Sequence, residues 1–418
     1  MVAVRDRGRL RVAARERLRV FGVLRFREYR LFWLGAVFSN LGIWALMAGR
    51  LWLMHRLTES PLMLGLLVLS GTGPILLLSM WGGVMADRVN RLRLMTFTRA
   101  MFAVLALLTA VLIVLDVIQP WHLIAISLAT GILLSFDIPS RQAILPNLVP
   151  RERLLHAIVL YSFIFGSAAI VGPSYFAPFV NLVGVEGLFF LVGGSYGLTV
   201  AMLLMMKPMR NPGEARPAKL WRDLVEGLAY VRGHRFVLSL IGISVVAGLF
   251  GMSFGTLLPV VADEILEGGV DAYGMLLLGG GVGGLAGTLF LAMFGDLRNS
   301  SNLQMLTALG FGLGLAVFSR ITWLPASVSV LVFVAACSSA FGTVNNTLLQ
   351  SIVDDEFRGR VMSIHQLGWG ASAIGGLLMG FLAQTVDVPF ALTVSGLVTA
   401  SAAGALSLLA ARWRPATA

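Results

Sequence analysis

The sequence predicts an all-α integral membrane protein with twelve transmembrane helices in two six-helix bundles and with both termini in the cytoplasm. Its 418 residues are 57% apolar and 13% charged, which is about half the charged share of an ordinary soluble domain. Apolar stretches of about 20 residues, the length at which an α-helix crosses the hydrocarbon core, follow one another along the chain. Lys and Arg residues concentrate in alternate loops between these stretches, and this asymmetry predicts the orientation.

The twelve spans are delimited by charged residues and by clusters of Pro and Gly, which interrupt helices. They lie near residues 31–54, 62–85, 95–116, 121–144, 155–178, 187–206, 236–259, 272–295, 303–319, 326–349, 361–385 and 389–410. The only cysteine, Cys337, falls inside one of these spans, so the sequence predicts no disulfide framework.

Basic residues mark one side of the predicted bundle. With the amino terminus placed in the cytoplasm, 29 of the 32 Lys and Arg residues lie in the tails, loops and linker on that side. Arg50, Arg56 and Arg320 are the three on the other side. This distribution follows the positive-inside rule. The net charge of +11 therefore indicates topology and contact with anionic lipid headgroups, and it does not predict nucleic-acid binding.

Five segments follow from the pattern of polar and apolar residues. They are a basic cytoplasmic segment (1–30), a first bundle (31–206), a cytoplasmic linker (207–235), a second bundle (236–410) and a short tail (411–418). The basic segment fits either an amphipathic surface helix or a partly disordered tail, and both interpretations remain open. The linker contains LWRDLVEGLAYV, whose spacing predicts an amphipathic helix with one apolar face: Leu220, Leu224, Leu228 and Val231.

The two predicted bundles resemble each other in sequence. MADRV at the end of the second span and FGDLR at the end of the eighth place Asp87 and Asp296 at an offset of 209 residues. LPNLVPRE after the fourth span and LQSIVDDE after the tenth are offset by 204 residues. A parallel six-helix repeat is typical of transporters that rock two bundles about a central site.

The loop GGVMADRVNRLRL (82–94) is the most specific local feature. Gly83 lets the preceding helix end approach a neighbour closely. Asp87 is an acid among basic anchor residues, where it can accept from Arg88 or Arg91 or cap a helix of the other bundle. An acid is not needed for anchoring, so we interpret Asp87 as functional.

This loop resembles the loop-2/3 signature of the major facilitator superfamily at Gly83, Asp87, Arg88 and Arg91 and departs from it at Asn90. Three longer segments resemble its transmembrane secretion effector branch, which contains the enterobactin exporter and macrolide efflux proteins: FDIPSRQAILPNLVPRERL, LWRDLVEGLAYVRGH and NTLLQSIVDDEFRGRVMSIHQL. The resemblance implies the major facilitator fold, alternating access, and a loop-2/3 acid that gates the cytoplasmic side.

Charged residues within spans are candidates for function because they are costly there. Asp137 lies in the fourth span with Arg141 one helical turn further on the same face. We predict one gating network that closes the cytoplasmic side: Gly83, Asp87, Arg88, Arg91, Asp137 and Arg141. A purely structural ion pair beside the Pro139 kink is the alternative. The weaker counterpart in the second half is Asp296, Glu356, Arg358 and Arg360.

Polar residues within spans one, five and ten are candidates for the substrate cavity. Arg50 either extends to the outer interface or lines the path, where it would suit an anionic or catecholate-like substrate. The remaining candidates either touch cargo or join helices, and the sequence leaves both readings open: Asn40, Tyr161, Asn345, Asn346 and Gln350.

The energy source has a weak signature. No carboxylate or His lies near the middle of a span, so Asp137 is the best candidate for proton coupling, and proton antiport rests on the resemblance. No Gly-rich phosphate loop is present. No nucleophile–base pair or metal-ligand cluster is present either, so we predict no enzyme, no metal and no cofactor.

The resulting hypothesis is a monomeric secondary transporter of the bacterial cytoplasmic membrane. It would export a small amphipathic molecule, such as a siderophore, antibiotic or other secondary metabolite, as a proton antiporter. One alternative is a lysophospholipid or lipid flippase with the same fold. Another is a non-transporting membrane subunit or sensor that has kept the fold.

Overall fold

A computed structural model describes residues 21–207, 220–294 and 300–413, and these residues form helices and no strands. The first helices precede the linker: α1 (Arg27–Thr58), α2 (Pro61–Arg88), α3 (Arg91–Val114), α4 (Pro120–Ile144), α5 (Leu154–Ser174) and α6 (Phe176–Leu204). The others follow: α7 (Leu220–Gly233), α8 (Arg235–Val246), α9 (Gly269–Phe294), α10 (Ser300–Phe318), α11 (Leu324–Ile352), α12 (Asp355–Thr385) and α13 (Val388–Trp413). We call α1–α6 the N-terminal helices and α8–α13 the C-terminal helices.

Ten helices in the described ranges are long and apolar enough to cross a membrane. The predicted spans near 155–178 and 303–319 are not among them. The first corresponds to α5, and the second to α10, where Asn302–Phe318 is apolar but shorter than a full span. A helical membrane architecture is therefore present, and the number twelve stays a prediction.

Two glycine-dependent breaks depart from straight helices. The segment predicted as one span at 236–259 is regular in α8. It then continues through π and 3-10 turns, with a short α-helical turn at Leu258–Val260, as far as Ile265. In that segment Gly248 packs against the backbone of Gly368 in α12, where a Cβ would collide with the carbonyl oxygen. In α6, Gly184 has φ 75°, which a residue with a Cβ rarely adopts, and this breaks the helix near the start of the predicted sixth span.

Short connections make consecutive helices antiparallel, so the helix termini gather at two ends. The basic end contains the start of α1 at Arg27 and the junction of α2 and α3 at Arg88 and Arg91. The far end contains the junction of α1 and α2 at Thr58 and Pro61. Both names are used below in this sense.

The buried apolar residues are shared between the two groups of helices only towards the far end. The largest cluster combines N-terminal residues such as Trp52 and Phe176 with C-terminal residues such as Leu257 and Tyr273. At the basic end one cluster runs from Val23 to Met206 and belongs to the N-terminal helices and the segment before them. A separate cluster there belongs to the C-terminal helices and α7. The two groups are thus joined at the far end and have distinct cores at the basic end.

The linker helix is present as α7, although residues 208–219 lie outside the described part of the chain. It packs on α12, with Gly227 against Arg360 and Ile364 and with Val231 buried. Leu228 is exposed, so the apolar face predicted from spacing is only partly the packed face. Contact through a glycine brings the α7 backbone close to α12, and this turns Leu228 outward.

Candidate functional site

Asp137 is the centre of a buried polar cluster between α3 and α4. Its side chain is fully buried. Oδ1 accepts from the Thr98 hydroxyl at 2.9 Å, and Oδ2 accepts from Nη2 of Arg99 at 2.7 Å. Nε of Arg141 lies 3.3 Å from Oδ2 at ion-pair distance, without hydrogen-bond geometry. The pair that the spacing of Asp137 and Arg141 predicts is therefore present, and it is part of a larger cluster.

Arg99 is a partner of Asp137 that the sequence does not predict. Its position places it among the basic loop residues that orient the protein, yet its side chain is 3% exposed and bonds Asp137. Its guanidinium also lies over the rings of Phe102 and Tyr196, at 5.7 Å from each centroid. The available signal was its position eight residues beyond Arg91, which places it two turns inside an apolar helix.

The cluster extends towards Arg50 through Tyr196. The Tyr196 side chain is fully buried, its hydroxyl has no hydrogen-bond partner, and it interacts electrostatically with Arg50, Arg99, Asp137 and Arg141. Arg50 is 6% exposed, and its Nη2 donates to the Thr130 hydroxyl of α4 at 2.9 Å. Extension of Arg50 to the outer interface is therefore wrong: the side chain turns into the protein and bonds a neighbouring helix.

The C-terminal helices contain a neutral counterpart of this cluster. Gln304 of α10 donates to Oδ1 of Asn345 in α11 at 2.6 Å, and Nδ2 of Asn345 donates to the Ser244 hydroxyl at 2.6 Å. His365 of α12 lies 3.2 Å from the same Nδ2. All of these side chains are buried. They join four helices without any charged group among them.

Three polar contacts join the N-terminal and C-terminal helices at the far end. Nε2 of His55 lies 3.0 Å from Oδ2 of Asp263. The other two contacts are donor–acceptor pairs at 2.7 Å, from Asn181 to Asp271 and from Ser60 to Gln384. The sequence alone does not predict the contact between His55 and Asp263, because the two residues lie 208 positions apart.

Glycine residues bring the two groups into backbone contact at the same end. A Cβ on Gly65 of α2 would lie 2.7 Å from the Gly376 carbonyl oxygen of α12. A Cβ on Gly380 would collide with the carbonyl oxygen of Pro61. We call the three polar contacts together with these glycine contacts the far-end seal. It consists of non-covalent contacts, and the described residues contain no metal-ligand cluster.

The described residues form membrane-length helices with buried charges and a seal at one end, and comparison with known proteins shows the family of the chain. A family model described as transmembrane secretion effector matches residues 19–416. The chain belongs to this family. As a secretion effector it is a membrane transporter of the major facilitator superfamily, a multi-pass protein of the cell membrane and not an enzyme.

Named relatives of this secretion effector move siderophores and antibiotics. It is 27% identical to the staphyloferrin A transporter of Staphylococcus aureus, covering 86% of this chain and 90% of the relative. It is 23% identical to the enterobactin exporter of Shigella boydii, with 82% of each chain covered. It is 21% identical to macrolide efflux protein A of Streptococcus pyogenes, with 88% and 92% covered.

Solved structures share the fold of the secretion effector at low sequence identity. A peptide transporter of the POT family in complex with sulfate superposes with a TM-score of 0.73 at 12% identity, covering 92% of this chain and 94% of that one. A bacterial homologue of the human lysosomal transporter Spinster, inward-facing and occupied, gives 0.70 at 14% identity, with 93% and 97% covered.

The loop-2/3 residues of the secretion effector are only partly described. Gly83, Asp87 and Arg88 lie in the last turns of α2, but the side chains of Asp87 and Arg88 fall outside the described part, so their gating role stays a prediction. Arg91 begins α3 and donates to the Ala143 carbonyl of α4 at 2.9 Å. Asn90, which departs from the usual motif glycine, caps α3 by accepting from the backbone N–H of Arg93.

The second-half counterpart makes contacts near the linker helix. Asp296 lies outside the described residues. Glu356 is exposed in the first turn of α12. Arg358 pairs with Asp355 of its own helix, whereas Arg360 pairs with Glu226 of α7 at 3.2 Å. The described contacts of Arg358 and Arg360 therefore stay among the C-terminal helices and α7.

The other cavity candidates of the secretion effector separate into buried and exposed residues. Asn40 is buried and donates to the Ala36 carbonyl of its own helix, and Asn345 joins helices as described above. Tyr161 is half-buried and packs against the Phe32 ring at 5.5 Å. Asn346 accepts from the exposed Gln350 one turn later. Asn346 and Gln350 are thus the amide candidates that remain accessible.

Proposed function

We propose that this secretion effector is a secondary active exporter of a small amphipathic molecule, such as a siderophore, antibiotic or other secondary metabolite. In this proposal twelve helices form two six-helix bundles that alternate access across the membrane, with both termini in the cytoplasm. The observation that carries it is the apolar core, which the two groups of helices share at the far end and divide at the basic end.

The orientation of this arrangement follows from the basic residues. Cytoplasmic loops of membrane proteins carry the excess of Lys and Arg, so we assign the basic end to the cytoplasm. The far-end seal then closes the external side, and the separate cores leave the cytoplasmic side as the side from which cargo enters. Transport requires the seal to open while the basic end closes, and the predicted Asp87 network would hold that second state.

Export is tested in a host without its own drug pumps, by a screen of siderophores, macrolides and other metabolites. Expression of the wild-type chain should lower the accumulation of at least one cargo. The variant Asp87→Asn should abolish or severely slow this export at an equal level in the membrane, because the gate loses its charge. The matched control is Arg93→Gln, an exposed arginine of the same loop. Unchanged export by Asp87→Asn would refute the proposed role of Asp87 in the cytoplasmic gate.

Proton antiport is the proposed drive, with Asp137 as the proton acceptor. Protonation would remove the negative charge that faces Arg99 and Arg141, and this would free α3 and α4 to shift. In inverted vesicles, Asp137→Asn should lose uptake driven by a pH gradient and keep the exchange of labelled for unlabelled cargo. Uptake with a normal response to the gradient would exclude Asp137 as the coupling residue.

A further inference from the structure

The N-terminal helices bury more positive than negative charge. Arg50, Arg99 and Arg141 are 6%, 3% and 14% exposed, and Asp137 is the one acid within ion-pair distance of any of them among the described residues. Arg99 and Arg141 share this carboxylate. Arg50 has only the neutral hydroxyl of Thr130. Two buried guanidinium charges are therefore in excess, and Arg50 is the least compensated of the three.

Hydrogen-bond donors in the same region lack acceptors. The Nε atoms of Arg50 and Arg99 and the hydroxyl of Tyr196 are buried and have no hydrogen-bond partner. All three side chains are more than nine-tenths buried. A buried charge without a counter-charge, and a buried donor without an acceptor, each destabilise a folded protein. The unfilled donors of Arg50 and Tyr196 together indicate a negatively charged partner with oxygen acceptors.

We propose that Arg50 and Tyr196 bind an anionic oxygen group of the carboxylate class that the cargo carries into the N-terminal helices. A guanidinium donates two parallel N–H bonds to a carboxylate, and the phenolic hydroxyl can donate a third. The buried charge beside this site is specific to the first half, because the second half has the neutral Gln304–Asn345 pair in place of Arg99 and Asp137. As a statement about cargo this inference rests on the proposed export function, but anion binding can be measured without export.

The test uses the purified full-length chain in lipid nanodiscs and follows its thermal unfolding. The probes are citrate and inorganic phosphate. Each is titrated at constant ionic strength into an anion-poor buffer, which contains no other carboxylate or phosphate. Citrate should raise the Tm of the wild type by several degrees, because a ligand that binds only the folded state stabilises it. A larger shift with citrate than with phosphate assigns the site to an organic carboxylate, and equal shifts assign it to a free oxyanion.

The variant Arg50→Gln should lose this shift, and Arg50→Lys should keep a smaller one because it retains the charge without the planar guanidinium. Tyr196→Phe should weaken the response with no change of charge. The matched control is Arg56→Gln, an exposed arginine of the same helix that should respond as the wild type does. Equal shifts in Arg50→Gln and Arg56→Gln, or no anion-dependent shift in the wild type, would overturn the proposal.

A second measurement separates binding from a structural role of Arg50. In anion-poor buffer Arg50→Met should unfold at an unchanged or higher temperature, because it removes an uncompensated buried charge and leaves Thr130 bonded to the Ile126 carbonyl. A structural role predicts a lower Tm instead. If citrate binds through Arg50 but no cargo is exported, the export function fails and the anion site stands. If export of every cargo is indifferent to Arg50→Gln, the site is not part of the transport path.

Discussion

Asp137 carries the most demanding interaction in the described part of the chain, because a fully buried carboxylate faces two guanidinium groups and a hydroxyl. Removing one partner of a buried ion pair leaves the other charge uncompensated, whereas replacing both by neutral residues of similar shape is often tolerated. The Gln304–Asn345 hydrogen bond shows that neutral amides fit a comparable contact between neighbouring helices. These two facts give opposite expectations for single and double substitutions.

We expect Arg99→Gln alone, or Asp137→Asn alone, to destabilise the protein by about 3–5 kcal/mol. The double variant should recover part of that loss, because it re-creates the amide pair of the second half while Arg141 loses its counter-charge. Unfolding in mixed detergent micelles measures the four members of this double-mutant cycle, with Arg93→Gln as an exposed control. Additive losses in the double variant would contradict the prediction.

Asn345 and Asn346 are neighbours in sequence with opposite environments, since only Asn345 is buried in the polar cluster. Asn345→Ala should cost about 1–3 kcal/mol, because it leaves buried partners unsatisfied. Asn346→Ala should leave stability almost unchanged and alter the apparent affinity for cargo. Thermal unfolding and concentration-dependent uptake in inverted vesicles test the two variants side by side. Equal effects on stability would refute the assignment of Asn345 as the structural residue.

The sequence predicted the pairing of Asp137 with Arg141, because residues at i and i+4 of a helix lie on the same face. It missed Arg99, Tyr196 and Thr130 because these residues meet Asp137 or Arg50 only through the packing of separate helices. The position of Arg99 also fits a basic anchor residue, since the first two turns of a membrane helix lie either at the lipid interface or inside the protein. Periodicity alone does not show which neighbour a helix face meets.

The helices themselves were largely predictable, because the length needed to cross the hydrocarbon core fixes the apolar stretches. The irregular segment after α8 was not, since its π turn lies where Gly248 closely approaches Gly368 of a helix distant in sequence. A glycine also permits close backbone contact between α2 and α4: Gly82 packs against the backbone of Ser135, and no space is left for a Cβ.

Gly82→Ala should therefore push α2 and α4 apart and destabilise the protein by about 1–3 kcal/mol, the usual cost of overpacking. Gly73→Ala on the same helix is the matched control, because its Cβ would meet only the Leu69 side chain at an ordinary 3.5 Å. Thermal unfolding of both variants in nanodiscs gives the comparison. A loss for Gly73→Ala as large as that for Gly82→Ala would point to backbone flexibility as the cause.

The far-end seal connects the two halves of the molecule, so fixing it should stop the transport cycle. With Cys337→Ser as background, cysteines at positions 60 and 384 can be joined by a short bis-methanethiosulfonate, which forms a disulfide with each thiol and releases sulfinate, since the Ser60 and Gln384 side chains are in hydrogen-bond contact. The cross-linked protein should lose export, and a reductant should restore it. Single-cysteine variants treated in the same way are the controls. Full export by the cross-linked protein would show that the far end does not open during transport.

The overall architecture could be predicted from composition, charge asymmetry and the internal repeat, whereas the conformational state could not. Which end is joined depends on contacts such as His55–Asp263 between residues 208 positions apart. No residue next to His55 or Asp263 in the sequence indicates that these two residues are in contact. The repeat offset, which relates equivalent positions of the two halves, does not identify residues that touch across them.

The backbone contacts of Gly65 and Gly380 have a consequence for how this chain can change over generations. Glycine is the smallest residue, so every substitution at these positions adds atoms where none fit. Substitution of either glycine can therefore only loosen the contact between α2 and α12, and no substitution there can tighten it. Substitutions that accumulate at these sites would therefore weaken closure of the far end until a compensating change elsewhere restores it.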